Sequence, residues 1–215
     1  KPSKPDAAPL SAKSNKNIHG VLHKALKQAV LIGYLRTNPT EACILPRIIR
    51  KEMHPLEEDQ VAVFLREVQG HPHEYLYKIA LFTGLREGEV LGLGWEHIDF
   101  QAGTLTVKRQ LRREQKKGGE YYFSPPKNNK SRCLTLAPSV IQLFRLQKLE
   151  QNSMRMEAGD AWEEHDLIFT NQTGGYLSYR TVYDCFKRIV RNIGAPATRF
   201  HDLRHTFAVA SIKSG

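Results

Sequence analysis

Thr83-Gly84-Leu85-Arg86-Glu87-Gly88-Glu89-Val90 sets an arginine just behind a glycine, inside a stretch that is otherwise apolar and acidic. Glycine there suits the left-handed turn that ends a helix, so Arg86 is expected just past a helix end. A second stretch, His201-Asp202-Leu203-Arg204-His205-Thr206-Phe207-Ala208, places another arginine between two histidines. On a helix His201, Arg204 and His205 fall at i, i+3 and i+4 and share one face. Leu203, Phe207 and Ala210 take the packed side. Between the two stretches, Pro126-Lys127-Asn128-Asn129-Lys130-Ser131-Arg132 reads as a basic turn on a β-hairpin.

Outward from these segments the pattern is mostly helical. Residues 1–15, rich in Lys, Pro, Ala and Ser, read as an exposed lead-in. Over 17–35, Ile18, Val21, Leu22, Ala25, Leu26, Ala29 and Val30 recur at helical spacing, and Asn38-Pro39 stops the helix. A lone helix cannot bury a face against itself, so it belongs with helices upstream of Lys1 or docks elsewhere. Residues 40–54, with Pro46, Arg47, Arg50 and Lys51, read as an interdomain linker. Helices follow over 56–68, with Glu57, Glu58 and Asp59 matching the helix dipole, over 74–83 and over 85–91. Strands are expected at 104–112, 120–124 and 132–136. A long helix from Pro138 to about 156 turns Val140, Ile141, Phe144 and Leu149 inward. Residues 167–169 read as a short buried strand. Ser178 caps a helix to 193 that Gly194 ends, and the chain is helical from Phe200 onward. Tyr75, Tyr77 and Phe82 look like core aromatics, Trp95 a buried anchor, Cys133 a packed strand residue, and His71-Pro72-His73 an exposed loop. The fold class is mainly α with a small antiparallel β-sheet (α+β). It divides into 1–50, the end of a helical domain plus linker, and 51–215, a larger domain.

Lys and Arg number 32 against 22 Asp and Glu, a formal net charge of +10 over 215 residues. The excess is uneven. Residues 1–51 carry net +8, 52–107 net −7, 108–132 net +7 and 133–215 net +2. Two basic blocks around an acidic one suit a protein that meets a polyanion at two places. A hydrophobic share of 40% supports a real core and argues against disorder. No apolar run approaches the roughly 18 residues of a membrane span. Lys1-Pro2-Ser3-Lys4-Pro5 lacks the apolar segment of a secretory signal. Cys43, Cys133 and Cys185 are odd in number, far apart and without a CxxC, which supports neither a disulfide framework nor a zinc knuckle. A soluble protein of a reducing compartment is expected.

The chemistry open to such side chains is specific. Two arginines can fork onto the non-bridging oxygens of a phosphodiester and stabilise a pentavalent transition state. A lysine on a mobile hairpin can protonate a departing 5′-oxygen, and a histidine can pass protons to or from the nucleophile. The cations already supply charge stabilisation, and neither an HExxH nor a two-metal carboxylate cluster occurs. No metal or other cofactor is expected.

These segments, in this order and spacing, resemble the tyrosine recombinase (phage integrase) family. Residues 83–89 look like the family's first arginine box and 201–208 like its second. The segment with Pro126-Lys127 and Ser131-Arg132 looks like its catalytic-lysine loop. Residues 17–39 are similar to the last helix of its core-binding domain. The likeness extends over about residues 15–215, and the phrasing is most similar to integrases of conjugative elements and phages. It implies that Arg86 and Arg204 bind the scissile phosphate. It further implies Lys127 as general acid, with Lys130 as its rival, His201 in proton transfer, and Glu89 as the acidic partner that orients the site. Lys24 and Lys27 in the first basic block, and Arg109, Arg112, Arg113, Lys130 and Arg132 in the second, are the expected DNA contacts. The family pattern continues past the second box to a Gly-His or Trp motif and a nucleophilic tyrosine. All eight tyrosines here, Tyr34 through Tyr183, precede that box. The chain as given is therefore expected to bind DNA without cutting it, as part of a longer protein that integrates and excises a mobile element. The resemblance also implies double-stranded DNA attachment sites as partners, a tetramer on DNA, DNA-bending accessory proteins, no membrane, and a place at the nucleoid in the bacterial cytoplasm.

Other classes remain open at this point. A catalytically inactive DNA-binding factor would share the binding residues. A type IB topoisomerase-like relaxer would share the catalytic residue types. A basic RNA-binding module leaves both arginine boxes unexplained, and the aromatic signature of an RNA-recognition motif is missing.

Overall fold

A computed structural model describes residues 9–49, 53–116 and 118–213. The chain falls into two compact units, 1–52 and 53–215. In the first, helix α1 (Ala12–Leu31) starts earlier than the apolar spacing predicts, because the Ser11 side chain accepts the Ser14 N–H at 3.1 Å and caps it. It also ends earlier, before Gly33, which adopts φ 80°. Asn38 and Pro39 open a new turn, a 3-10 helix Pro39–Ala42 in which Asn38 Oδ1 accepts the Thr40 N–H at 3.1 Å. That turn is held to α1 by His23 Nδ1 on Thr40 Oγ1 (2.9 Å) and His19 Nε2 on the Thr40 carbonyl (3.0 Å). The first of the residues read as linker are therefore tied to the helix. No residue of α1 is buried among the described residues, and Val21 is 75% exposed. The lead-in residues 1–8 and the linker residues 50–52 lie outside the described set.

The second unit is built around α3 (Glu74–Thr83). Its Leu76, Tyr77, Ile79, Ala80, Leu81 and Thr83 are all buried. A helix that is apolar on nearly every side belongs at the centre of a helical layer. Around it pack α2 (Glu58–Glu67), α5 (Pro138–Ala158), α6 (Tyr179–Asn192) and α7 (Asp202–Lys213). Tyr77, Phe64, Phe186 and Phe200 meet in an aromatic cluster, and the Tyr77 hydroxyl donates to the Val182 carbonyl at 2.8 Å. Residues before α2 are fastened here too. The Leu56 N–H donates to Thr206 Oγ1 at 2.9 Å, and Thr198 Oγ1 donates to the His54 carbonyl at 3.1 Å.

The class is mainly α with small antiparallel sheets, but the strands differ from expectation. The run over 104–112 breaks into β2 (Thr104–Val107) and β3 (Gln110–Arg113). A short β1 (Ile98–Asp99) precedes them. Strand β2 lies between β1 and β5 (Arg132–Thr135), whereas β3 pairs with β4 (Tyr121–Ser124) in a second sheet. The Lys127 segment is thus no tight hairpin turn; it is the crossing from one sheet to the other. Residues 167–169 are buried but form no strand. They are bonded irregularly, with the Ile168 N–H donating to the Leu93 carbonyl at 2.9 Å. Leu149 is 63% exposed, because the buried stripe of α5 runs Val140, Phe144, Gln147, Gln151. Phe82 and Cys133 are exposed rather than packed, Ala210 is exposed, Phe207 is 36% exposed with its ring against Gly84, and Trp95 is half-buried. His71 and His73 are half-buried against Tyr77, not on an open loop.

Candidate active site

Arg86 precedes the short helix α4 (Glu87–Leu91), and its backbone N–H donates to Glu89 Oε2 at 2.9 Å. Its Nη1 donates to Glu89 Oε1, also at 2.9 Å. From the first residue of β5, Arg132 reaches the same carboxylate with Nη1 at 2.9 Å and Nη2 at 2.6 Å. Glu89 is 1% exposed. Burial pushes its carboxyl up, but the hydrogen bonds and charges of Arg132 and Arg86 outweigh it and hold the group at about 2. Glu89 is therefore a buried anion that fixes two guanidiniums side by side.

Arg204 joins them from α7. The start of that helix is pinned by Asp202, which is fully buried and accepts the Arg199 N–H at 2.9 Å and its Nε and Nη2 at 3.0 Å. Arg204 Nη1 then donates to the Gly84 carbonyl at 2.5 Å, across 120 positions of sequence. Gly84 ends α3 at φ 59°, and a Cβ there would fall 2.6 Å from Phe207 Cδ1. The bare glycine lets α7 lie directly on the turn that carries Arg86. Burial, then Arg86 and Arg132, lower the Arg204 value below that of an ordinary arginine. Three guanidiniums face one carboxylate, so the site keeps an excess of positive charge.

His201 precedes α7, exposed, with its ring 5.1 Å from and nearly perpendicular to that of half-buried His205. Partial burial, then the neighbouring His205, Arg204 and Arg86 charges, lower its basicity. The imidazole is therefore neutral near pH 7 and can accept a proton. An open cleft of about 580 Å³ lies between α4, the β3–β4 hairpin and this histidine. Arg86, Glu87, Arg112, Tyr122, Tyr179 and His201 are among its lining residues. The Tyr179 hydroxyl donates to the Leu111 carbonyl and ties α6 to β3. Such a cleft can take one phosphodiester, with guanidiniums for its oxygens and an imidazole for a proton. Among the described residues no three His, Cys, Asp or Glu side chains converge as a metal-binding group.

Residues 51–215 match the sequence model of the phage integrase family. The chain belongs to the phage integrase family. It is 27% identical over 221 residues to a tyrosine recombinase XerC-like protein of Caldanaerobacter subterraneus subsp. tengcongensis, covering 95% of this chain and 56% of that relative. An integrase of Streptomyces ambofaciens is 28% identical over 212 residues, covering 94% of this chain and 53% of the relative. The chain spans about half the length of these relatives. The fold is that of the Tn1549 transposon integrase solved in complex with transposon right end DNA, with a TM-score of 0.80 at 24% identity over 96% of this chain and 68% of that one. A lambda integrase dimer bound to a COC′ core site gives a TM-score of 0.58 at 21% identity, over 92% of this chain and 51% of that one.

Within this integrase-family domain, the expected site residues separate into groups. Arg86, Glu89, Arg132 and Arg204 come together, with His201 beside them. Lys127 and Lys130 stand exposed on the crossing between sheets and do not line the cleft. That crossing turns at Asn129, whose φ is 55° and whose N–H donates to the Pro126 carbonyl at 2.8 Å. Arg112 is exposed on the cleft wall. Arg113 is exposed but bent back, with Nε donating to the Gly119 carbonyl at 2.8 Å. Arg109 is turned into the protein. Its Nε donates to the Gly92 carbonyl at 3.0 Å, and its guanidinium lies 4.2 Å from the centre of the Phe123 ring. Lys24 and Lys27 are exposed on α1. Arg132, expected as a DNA contact, grips Glu89 instead. Glu87 and Tyr179 also line the cleft without any local signal in the sequence, because their surroundings come from strands and helices distant in the chain.

Proposed function

We propose that this chain is the phosphate-binding part of a site-specific DNA recombinase that integrates and excises a mobile element. The observation that supports this reading is the Arg204–Gly84 contact, which sets Arg204 of the second box against the turn that carries Arg86. Arg86 and Arg204 would each donate to non-bridging oxygens of the scissile phosphate, with Arg132 and Glu89 holding Arg86 in place. His201, neutral at pH 7, would take up the proton of the attacking hydroxyl. Lys127, or Lys130, would move in from the exposed crossing to protonate the leaving 5′-oxygen. In the family pattern the attacking tyrosine follows the second box, so strand cleavage through a 3′-phosphotyrosine belongs to the whole protein. The bond energy stays in that covalent link, and the partner strand's 5′-hydroxyl then attacks the phosphotyrosine, forming the new phosphodiester and releasing the tyrosine hydroxyl. Exposed Arg112, Lys130, Lys24 and Lys27 would contact the duplex backbone. We place the protein on attachment-site DNA in the bacterial cytoplasm, acting as a tetramer with DNA-bending accessory proteins.

The test uses the full-length protein that carries this chain and a nicked duplex whose cleaved end diffuses away. A protein–DNA adduct should form without added metal and disappear in Arg86→Ala and Arg204→Ala. Turnover without an adduct, or a strict requirement for Mg²⁺, overturns the reading.

A further inference from the structure

Glu87 and Glu89 lie two residues apart on α4 and meet opposite fates. Glu89 is gripped by two arginines. Glu87 lines the same cleft, yet its Oε1 is buried with no hydrogen-bond partner among the described residues. Glu87 is half-buried, and at that one oxygen it has lost water and gained no donor, the costly form of burial.

Several of the groups around it are already committed. Next to it in the chain, the Arg86 guanidinium is bonded to Glu89, itself on α4. From α3, the Tyr77 hydroxyl donates to Val182, and from α6, the Tyr179 hydroxyl donates to Leu111. From β3, Arg113 is held by the Gly119 carbonyl, while Arg112 lies exposed on the cleft wall, and Tyr122 on β4 is 45% exposed. His201 comes from the segment before α7, and its own basicity is lowered.

We propose that Glu87 is a positioning residue of the phosphate site, taking up a proton when DNA fills the cleft so that a neutral carboxyl lies beside the bound phosphate. This rests on the DNA-recombinase reading above. Burial pushes the Glu87 carboxyl up to about 7 in the free protein, so its two forms are nearly balanced at neutral pH. A phosphate in the same cleft repels the ionised form and not the neutral one. DNA binding and proton binding at Glu87 therefore help each other, and affinity falls as pH rises through the titration. Each pH unit by which DNA raises the Glu87 midpoint adds about a tenfold loss of affinity across it. For a midpoint moving by one unit, about half a proton is taken up per bound chain near pH 7.5.

The experiment is calorimetric titration of this chain with a short duplex, in buffers of different ionisation enthalpy at pH 7.5, with Kd followed from pH 6 to 9. Glu87→Gln removes the titration with little change of shape, Glu87→Asp retains it, and circular dichroism reports folding of both. The wild type should take up about half a proton more than Glu87→Gln. The ratio of wild-type to Glu87→Gln Kd should rise about tenfold over the pH range, and Glu87→Asp should keep the wild-type direction. Equal uptake in wild type and Glu87→Gln, with equal pH slopes, would assign the proton to another group and overturn the proposal. Absence of DNA binding at every pH removes the recombinase reading together with this one; intact binding with an unaltered slope removes this one alone.

Discussion

Glu89→Gln tests whether the site is organised by a buried charge. The carboxylate accepts hydrogen bonds from the Arg86 backbone, the Arg86 side chain and both terminal nitrogens of Arg132. A midpoint held at about 2 rather than near the usual carboxylate value corresponds to about 3 kcal/mol of folding free energy. Removing one partner of a buried ion pair costs about 3–5 kcal/mol by general experience, so the two magnitudes agree. The sign follows from the lowered midpoint. The stabilisation is complete above the unfolded carboxylate range and is lost as pH falls toward the folded value. Urea unfolding of wild type and Glu89→Gln should therefore differ by about 3 kcal/mol at pH 7 and by about 2 kcal/mol at pH 3.5. DNA affinity of the variant should fall as well, because the two guanidiniums lose their common anchor. A difference under about 1 kcal/mol at pH 7, or one that does not change with pH, would refute the reasoning. In the second case the loss would come from packing and not from charge.

Other variants probe how the site is held. Gly84→Ala forces a Cβ into left-handed backbone and against Phe207; it should lower stability by about 1–2 kcal/mol or more and weaken DNA binding through Arg204. A melting temperature within a degree of wild type would count against that contact. Gln151→Ala removes the acceptor of Trp95 Nε1 (2.7 Å) and the donor to the Leu167 carbonyl (2.8 Å). It should cost about 1–3 kcal/mol in urea unfolding and change the Trp95 fluorescence. Arg112→Ala should reduce the slope of log Kd against log salt by about 1, whereas Arg109→Ala should leave that slope and lower stability instead. Equal slope changes in both would contradict the inward placement of Arg109.

Much of the fold was legible because its signals are local. The α3 helix ends where Gly84 predicts, and Gly194 follows α6 with φ 74°. Left-handed backbone favours glycine wherever it occurs, so such ends can be read from a few residues. The break between β2 and β3 was not legible. Strand β3 instead runs close against Gly92, where the Leu111 nitrogen would lie only 2.7 Å from an added Cβ, a close approach between distant segments. Leu149 misled for a related reason. Gln147 and Gln151 take the buried stripe of α5 because their amides satisfy the Leu167 and Ile168 carbonyls, which no strand partner covers.

The amino-acid order determined which residue types can handle a phosphate, and the two arginine boxes carried the family likeness. It did not determine which of those residues share a site. Glu87 and Glu89 show the limit most clearly, being two acids on one helical turn; the family likeness singles out Glu89, but neither its Arg132 partner nor the burial of Glu87 is written nearby in the chain. Arg132, 43 positions away, closes on Glu89 and keeps it ionised. Among the described residues no donor reaches the buried Glu87 oxygen, and burial pushes its carboxyl up. The charge of a buried carboxyl depends on what the rest of the chain brings within hydrogen-bond distance, and only the tertiary structure decides that.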